Sequence, residues 1–86
     1  MSLHEKTVER VREIIGDMSP NKVRDPQPDQ NLVEDLGYES VSFMELALAL
    51  EAEFNLFEFD EEQAENMITV GDVSNLIGEL VVAAGE

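Results

Sequence analysis

One stretch of this chain places a nucleophilic hydroxyl where an anion is also welcome: Leu36-Gly37-Tyr38-Glu39-Ser40-Val41. Gly37 has no Cβ and can take the positive φ of a tight turn. Ser40 follows the acid Glu39, and from Ser40 to Gly71 there is neither Gly nor Pro, so a helix is predicted over residues 40–54. A serine at a helix start has two uses. Its hydroxyl can cap an orphan backbone N–H. It can instead carry a phosphate, because the free N–H groups and the helix dipole stabilise an anion there. The residue types alone leave both uses open.

Other chemistry is poorly supplied. With no cysteine, a disulfide or a Cys-based metal site is impossible. The acids Asp60-Glu61-Glu62 and Glu65 lack the alternating spacing of a calcium loop, so no metal site is expected. A G-x-S-x-G elbow and a Gly-rich phosphate loop are both missing. His4 is the sole histidine, in the first turn of the first predicted helix, and is read as a surface residue. No catalytic residue is assigned and the chain is not read as an enzyme.

Charge narrows the partners. The net charge of −15 is unevenly spread: residues 1–24 hold five bases and four acids, whereas residues 25–86 hold sixteen acids and neither Lys nor Arg. Such a field repels nucleic acid and anionic membrane and draws in basic partners. A solvated face that merely keeps the protein soluble is the plainer reading of the same charge. Apolar residues make up 43% and recur periodically, which argues against disorder. The apolar runs are too short to cross a membrane and no apolar leader core is visible, so a cytoplasmic monomer, one domain over residues 1–86, is expected.

The elements that must position Ser40 follow from spacing. Ser2 and Glu5 form a capping box, and Val8, Val11, Ile15 and Met18, widened by Ile14, predict a helix over 3–17, limited by Gly16 and Pro20. Pro20, Pro26 and Pro28 make residues 19–35 a long loop, pinned to the core by Val23, Leu32, Val33 and Leu36. The second helix carries two stripes. Phe43, Leu46, Leu50 and Phe54, with Ala47 between, form a core face; Val41, Met44 and Leu48 form another. A helix apolar on two faces is either deeply buried or meets a partner, and spacing alone favours burial slightly, although Glu45, Glu51 and Glu53 argue against complete burial. Phe57 and Phe59 are read as closing the core, with an apolar pocket lining as the alternative. Asp60 caps a short third helix to about Met67. Thr69, paired with Asp72, caps a fourth whose inner face is Val70, Val73, Leu76, Ile77, Leu80 and Ala84.

The segment Leu32-Val33-Glu34-Asp35-Leu36-Gly37-Tyr38-Glu39-Ser40-Val41 resembles the attachment signature of acyl carrier proteins, V-E-D-L-G-x-D-S-L after an apolar residue. Arg10 to Asp17, Glu45 to Phe54, Asp60-Glu61-Glu62 and Ile68 to Asp72 are similar to that family's successive helices. The resemblance implies an all-α, small four-helix bundle with a long first loop and a short third helix. It implies covalent 4′-phosphopantetheine on Ser40, attached by a phosphopantetheinyl transferase (holo-ACP synthase) with Mg²⁺ and coenzyme A. The arm would hold acyl intermediates as thioesters for fatty-acid or polyketide-type biosynthesis. It also implies that helix two faces basic-patch partner enzymes through Glu39, Val41, Met44, Glu45, Leu48 and Glu51.

Three departures stand against the family pattern: Glu39 for Asp, Val41 for Leu, and the aromatic Leu56–Phe59 segment. They make a specialised type II carrier at least as well supported as housekeeping fatty-acid synthesis. A peptidyl or D-alanyl carrier is an alternative within the family. An unmodified acidic helical interaction module is the alternative outside it.

Overall fold

In a computed structural model, which describes residues 2–85, the first helix α1 (Leu3–Met18) begins where Ser2 Oγ accepts the Glu5 N–H at 3.1 Å. It ends where Ser19 turns the chain, its hydroxyl donating to Gly16 O at 2.7 Å and accepting the Val23 N–H at 2.9 Å. Gly16 leaves room for that return: a Cβ there would lie 2.7 Å from the Val23 carbonyl oxygen. The following helices are α2 (Ser40–Phe54), α3 (Glu61–Glu65) and α4 (Val70–Gly85).

Caps explain the boundaries. Asn55 ends α2 in the left-handed conformation, φ 53°, which Asn tolerates better than most residues. Asp60 and Gln63 exchange hydrogen bonds at 2.7 and 3.0 Å across the first turn of α3. Thr69 and Asp72 do the same for α4, at 2.9 and 3.1 Å. The third helix stops two residues short of the predicted Met67. The chain turns there to bury Met67, and Ile68 O accepts the Leu32 N–H at 3.0 Å.

The core is built from Val11, Ile14 and Ile15 of α1, Leu46 and Leu50 of α2, and Val70, Val73 and Ile77 of α4, closed by Leu32, Leu36, Tyr38 and Met67. α1 packs mainly along α4 and also meets α2. The long loop between α1 and α2 is stitched at both sides. Arg12 Nε donates to Pro26 O at 3.0 Å, and the Val70 and Gly71 N–H groups at the start of α4 donate to Gln30 O and Pro28 O at 3.0 and 2.9 Å.

Four expectations change. Val33 does not pin the loop: it faces outward, because Leu32 and Leu36 take the inward positions. Phe57 does not close the core: it is 96% exposed, and only Phe59 turns inward. Ala84, near the end of α4, is exposed rather than inward. His4 is half-buried rather than on the surface, its ring so near Gly78 that a Cβ there would lie 2.8 Å from Nε2.

Candidate functional site

The site begins with the turn that aims Ser40. Gly37 has φ 84°, and a Cβ on it would also meet the Asn21 side chain at 2.7 Å. Asn21 holds the turn from outside, its N–H donating to Leu36 O at 3.0 Å and Nδ2 to Asp35 O at 3.2 Å. Tyr38 holds it from inside. Its ring is fully buried and its hydroxyl donates to Ile15 O of α1 at 2.6 Å. Burial pushes the phenol pKa up from its ordinary value of 10.0. Tyr38 was not anticipated as a site residue; its place as a third apolar position after Leu32 and Leu36 is the signal that could have found it.

Of the two uses weighed for Ser40, capping is not the one it has here. Glu39 is the N-cap and Ser40 the first helical residue. Ser42, two residues further, makes the cap bonds: its hydroxyl accepts the Glu39 N–H at 2.7 Å and donates to Glu39 O at 3.2 Å. Ser40 is therefore spared that duty and is exposed. It sits in the turn whose N–H groups a helix leaves without intrahelical partners, at the positive end of the α2 dipole.

Ser40 opens onto apolar space. A cavity of about 610 Å³ runs from Ser40 along α2 past Phe43, Met44, Ala47 and Leu48, with Phe59 opposite. That volume is within the range of small-molecule pockets, roughly 300–1,000 Å³. Glu51 and Glu58 also line it. Glu51 is half-buried, and its carboxylate accepts the Phe59 N–H at 2.9 Å, which fastens the loop between α2 and α3. A second cavity, about 450 Å³, is lined by Ser40 and Phe43 together with Leu32, Val33 and Tyr38.

The second stripe of α2 is not core. Val41, Met44 and Leu48 are 71, 63 and 61% exposed. Glu39 and Glu45 are exposed beside them, while Glu51 leans toward the cavity. Arg10 meets Glu53 at 3.0 Å and Glu13 at 3.2 Å, and Arg12 meets Asp25 at 3.4 Å. These are the ion pairs among the described residues, so none involves Glu39, Glu45 or Glu51. Among those residues no group of three or more His, Asp or Glu is placed to hold a metal ion, and no helix is long and apolar enough to cross a membrane.

A bundle with a free serine at the mouth of an apolar groove is the arrangement of a carrier domain, and the comparisons give its family. The family model for the phosphopantetheine attachment site matches residues 9–77. An acyl carrier protein of Clostridium acetobutylicum is 38% identical over 69 residues, 80% of this chain and 88% of that protein. The solved structure of a protein assigned as an acyl carrier protein from Mycobacterium tuberculosis matches with a TM-score of 0.61 at 28% identity, over 99% of this chain and 100% of that one. The chain belongs to the acyl carrier protein family, and its prosthetic group is covalently attached 4′-phosphopantetheine.

The residues around the first turn of α2 fit that group. An exposed hydroxyl stands in the first turn of the helix, and an apolar groove opens next to it. No Lys or Arg lines either cavity. A phosphodiester on Ser40 would meet the helix end there and no cationic clamp.

Proposed function

We propose that this chain is a single carrier domain whose Ser40 Oγ takes the phosphopantetheinyl group from coenzyme A, and that it carries acyl intermediates of fatty-acid or polyketide-type biosynthesis. The observation that carries the reading is the division of labour between Ser40 and Ser42. Ser42 closes the helix end, so the hydroxyl of the attachment signature is left free and exposed. When bound, the group supplies a terminal thiol that holds an acyl chain as a thioester, chemistry that a chain without cysteine lacks.

The chain's own part is placement. The Gly37 turn and the Tyr38 anchor fix the start of α2 relative to α1, so Ser40 is presented in one geometry to each enzyme. The groove beside it keeps water from an apolar cargo. The role is carriage rather than catalysis, in the cytoplasm. Tethering raises the local concentration of the cargo at each docked enzyme.

Docking uses the exposed side of α2. Val41, Met44 and Leu48 seat the contact, while Glu39, Glu45 and Glu51 draw in Lys and Arg on a phosphopantetheinyl transferase and on acyl-handling enzymes. Exposed ion pairs contribute below about 1 kcal/mol each, so encounters are brief, as suits a carrier that changes partners. Co-expression with a broad-specificity transferase tests the reading: intact mass should rise by one phosphopantetheinyl group, and an unchanged mass would refute it.

A further inference from the structure

Phe57 puts a whole phenyl ring into water: it is 96% exposed, while Leu56 before it and Phe59 after it pack against the core. One residue, Glu51, fixes the backbone on both sides of the ring. Its carbonyl oxygen accepts the Leu56 N–H at 2.9 Å, and its carboxylate accepts the Phe59 N–H at 2.9 Å. Asn55 turns the chain out of α2 at φ 53°, and Asp60 caps α3 by accepting the Gln63 N–H at 2.7 Å. The ring therefore stands on a held stretch of backbone, so a contact has little left to order. Isolated exposed apolar side chains are common and carry nothing by themselves. Two things set Phe57 apart: this clamp and the charge around it. Residues 51–65 hold seven acids and no base. Glu58, Asp60, Glu61 and Glu62 are exposed near the loop. Among the described residues only Glu53 of the seven meets a base, Arg10 at 3.0 Å.

We propose that Phe57 is an interface anchor: its ring enters an apolar pocket, rimmed by Lys or Arg, on the acyl-handling enzymes that dock along α2. This deepens the docking reading above and rests on it. Charge chooses the occupant. A second copy would bring the same acids to the contact. Its own bases, in residues 1–24, lie among four acids, and Arg10 and Arg12 are already paired. An anionic membrane is repelled by the same field. A protein with a cationic rim complements the acids and takes the ring out of water. An aromatic side chain that fills such a pocket carries a large share of the binding energy of an interface. Position adds a constraint. Ser40 opens α2 and Phe57 follows its end, and the 15 residues of the helix span about 22 Å. A partner that takes the arm at Ser40 and also holds Phe57 must cover the length of the helix. The ring thus selects enzymes with that longer footprint over those that grip only the first turns.

The test uses the protein carrying its arm on Ser40 and, as probe, an acyltransferase that moves an acyl group from acyl-coenzyme A to that arm. Steady-state rates are measured against carrier concentration for the parent, Phe57→Ala and Phe57→Trp. Phe57→Ala should raise KM about tenfold or more and leave kcat unchanged, the signature of lost binding away from the reacting atoms. Phe57→Trp keeps an aromatic ring and should restore most of the parent KM. All three should melt close together, because the ring has almost no contact to lose. An unchanged KM in Phe57→Ala, or a melt lowered well below the parent, overturns the anchor. A dimer of the parent in sedimentation that Phe57→Ala abolishes would put a second copy on the ring and overturn it too. Binding of the parent to phosphatidylcholine vesicles that Phe57→Ala abolishes would do the same for a membrane. Peptide mapping by mass separates this from the reading beneath it. An arm absent from Ser40, or an armed parent that accepts no acyl group, overturns the carrier reading and the anchor with it. An arm on Ser40 and normal acyl transfer, with KM unmoved in Phe57→Ala, overturns the role of Phe57 alone.

Discussion

The two sides of the bundle are built to different standards. Between α1 and α4 the helices approach closely: Gly78 has no space for a Cβ against His4, and the two hydroxyls buried in these helices, Thr7 and Ser74, bond to carbonyls one turn back at 2.8 and 3.0 Å. Between α2 and α3 the packing is open. α3 buries none of its residues, α2 exposes three large apolar side chains, and the main cavities lie between them. One side is closed by packing, and the other leaves apolar side chains exposed. Ser40 stands where they meet, fixed to the closed side through Tyr38 and opening on the other.

If that contrast is right, equal truncations should have unequal costs. Ile77→Ala, in the closed side, should lose about 2–5 kcal/mol by transfer and cavity terms. In a domain of this size that lowers Tm on the order of 10 °C or more. A calorimetric melt with a drop of only a degree or two would mean that the α1–α4 side is not the stabilising half.

Tyr38→Phe should have a middling effect, roughly 1–3 kcal/mol, because the Ile15 carbonyl oxygen loses a buried donor while the ring stays. It also isolates a pH dependence. The phenol pKa is raised in the fold above its ordinary 10.0, so its stabilising effect is complete below pH 10 and is lost as pH rises toward the folded value. Denaturant titrations above pH 10 should show stability falling more steeply in the unsubstituted protein than in Tyr38→Phe. Tyr38 is the sole tyrosine, so phenolate absorbance should appear late and together with unfolding. Ordinary ionisation near pH 10 in the folded state would contradict the buried anchor.

Much of the helical framework was legible. The Ser2, Asp60 and Thr69 caps act through neighbours three residues away, and the apolar spacing of α1, α2 and α4 marks their buried stripes, so local rules suffice. What escaped depends on distant partners. Tyr38 is anchored by a carbonyl 23 residues earlier, and Leu32 and Val70 are joined to Ile68 and Gln30 across the fold. Phe57 and Phe59 have the same residue type two apart, and the path of one loop alone decides that the first is exposed and the second packed. At the site, the signature pointed to Ser40, but the cap role of Ser42 depends on a rotamer that spacing does not reveal.

The open side should barely register in stability. Met44→Ala and Leu48→Ala should each stay within about 0.5 kcal/mol of the parent, because both side chains are mostly exposed. Surface plasmon resonance against a transferase should instead show faster dissociation, while Glu45→Lys should slow association. Raising salt from about 0.01 to 1 M, which shortens screening from about 30 to about 3 Å, should slow association of the parent. A melt lowered by several kcal/mol in Met44→Ala or Leu48→Ala would mean that this face is structural.

The most direct measurement is intact mass after incubation with a phosphopantetheinyl transferase, Mg²⁺ and coenzyme A, run on the parent, Ser40→Ala and Ser42→Ala. The parent and Ser42→Ala should each gain one phosphopantetheinyl group, with Ser42→Ala less stable by about 0.5–1.5 kcal/mol from loss of its hydrogen bond to the Glu39 N–H. Ser40→Ala should gain nothing while melting close to the parent, because its hydroxyl makes no cap bond. Added mass on Ser40→Ala would contradict the account.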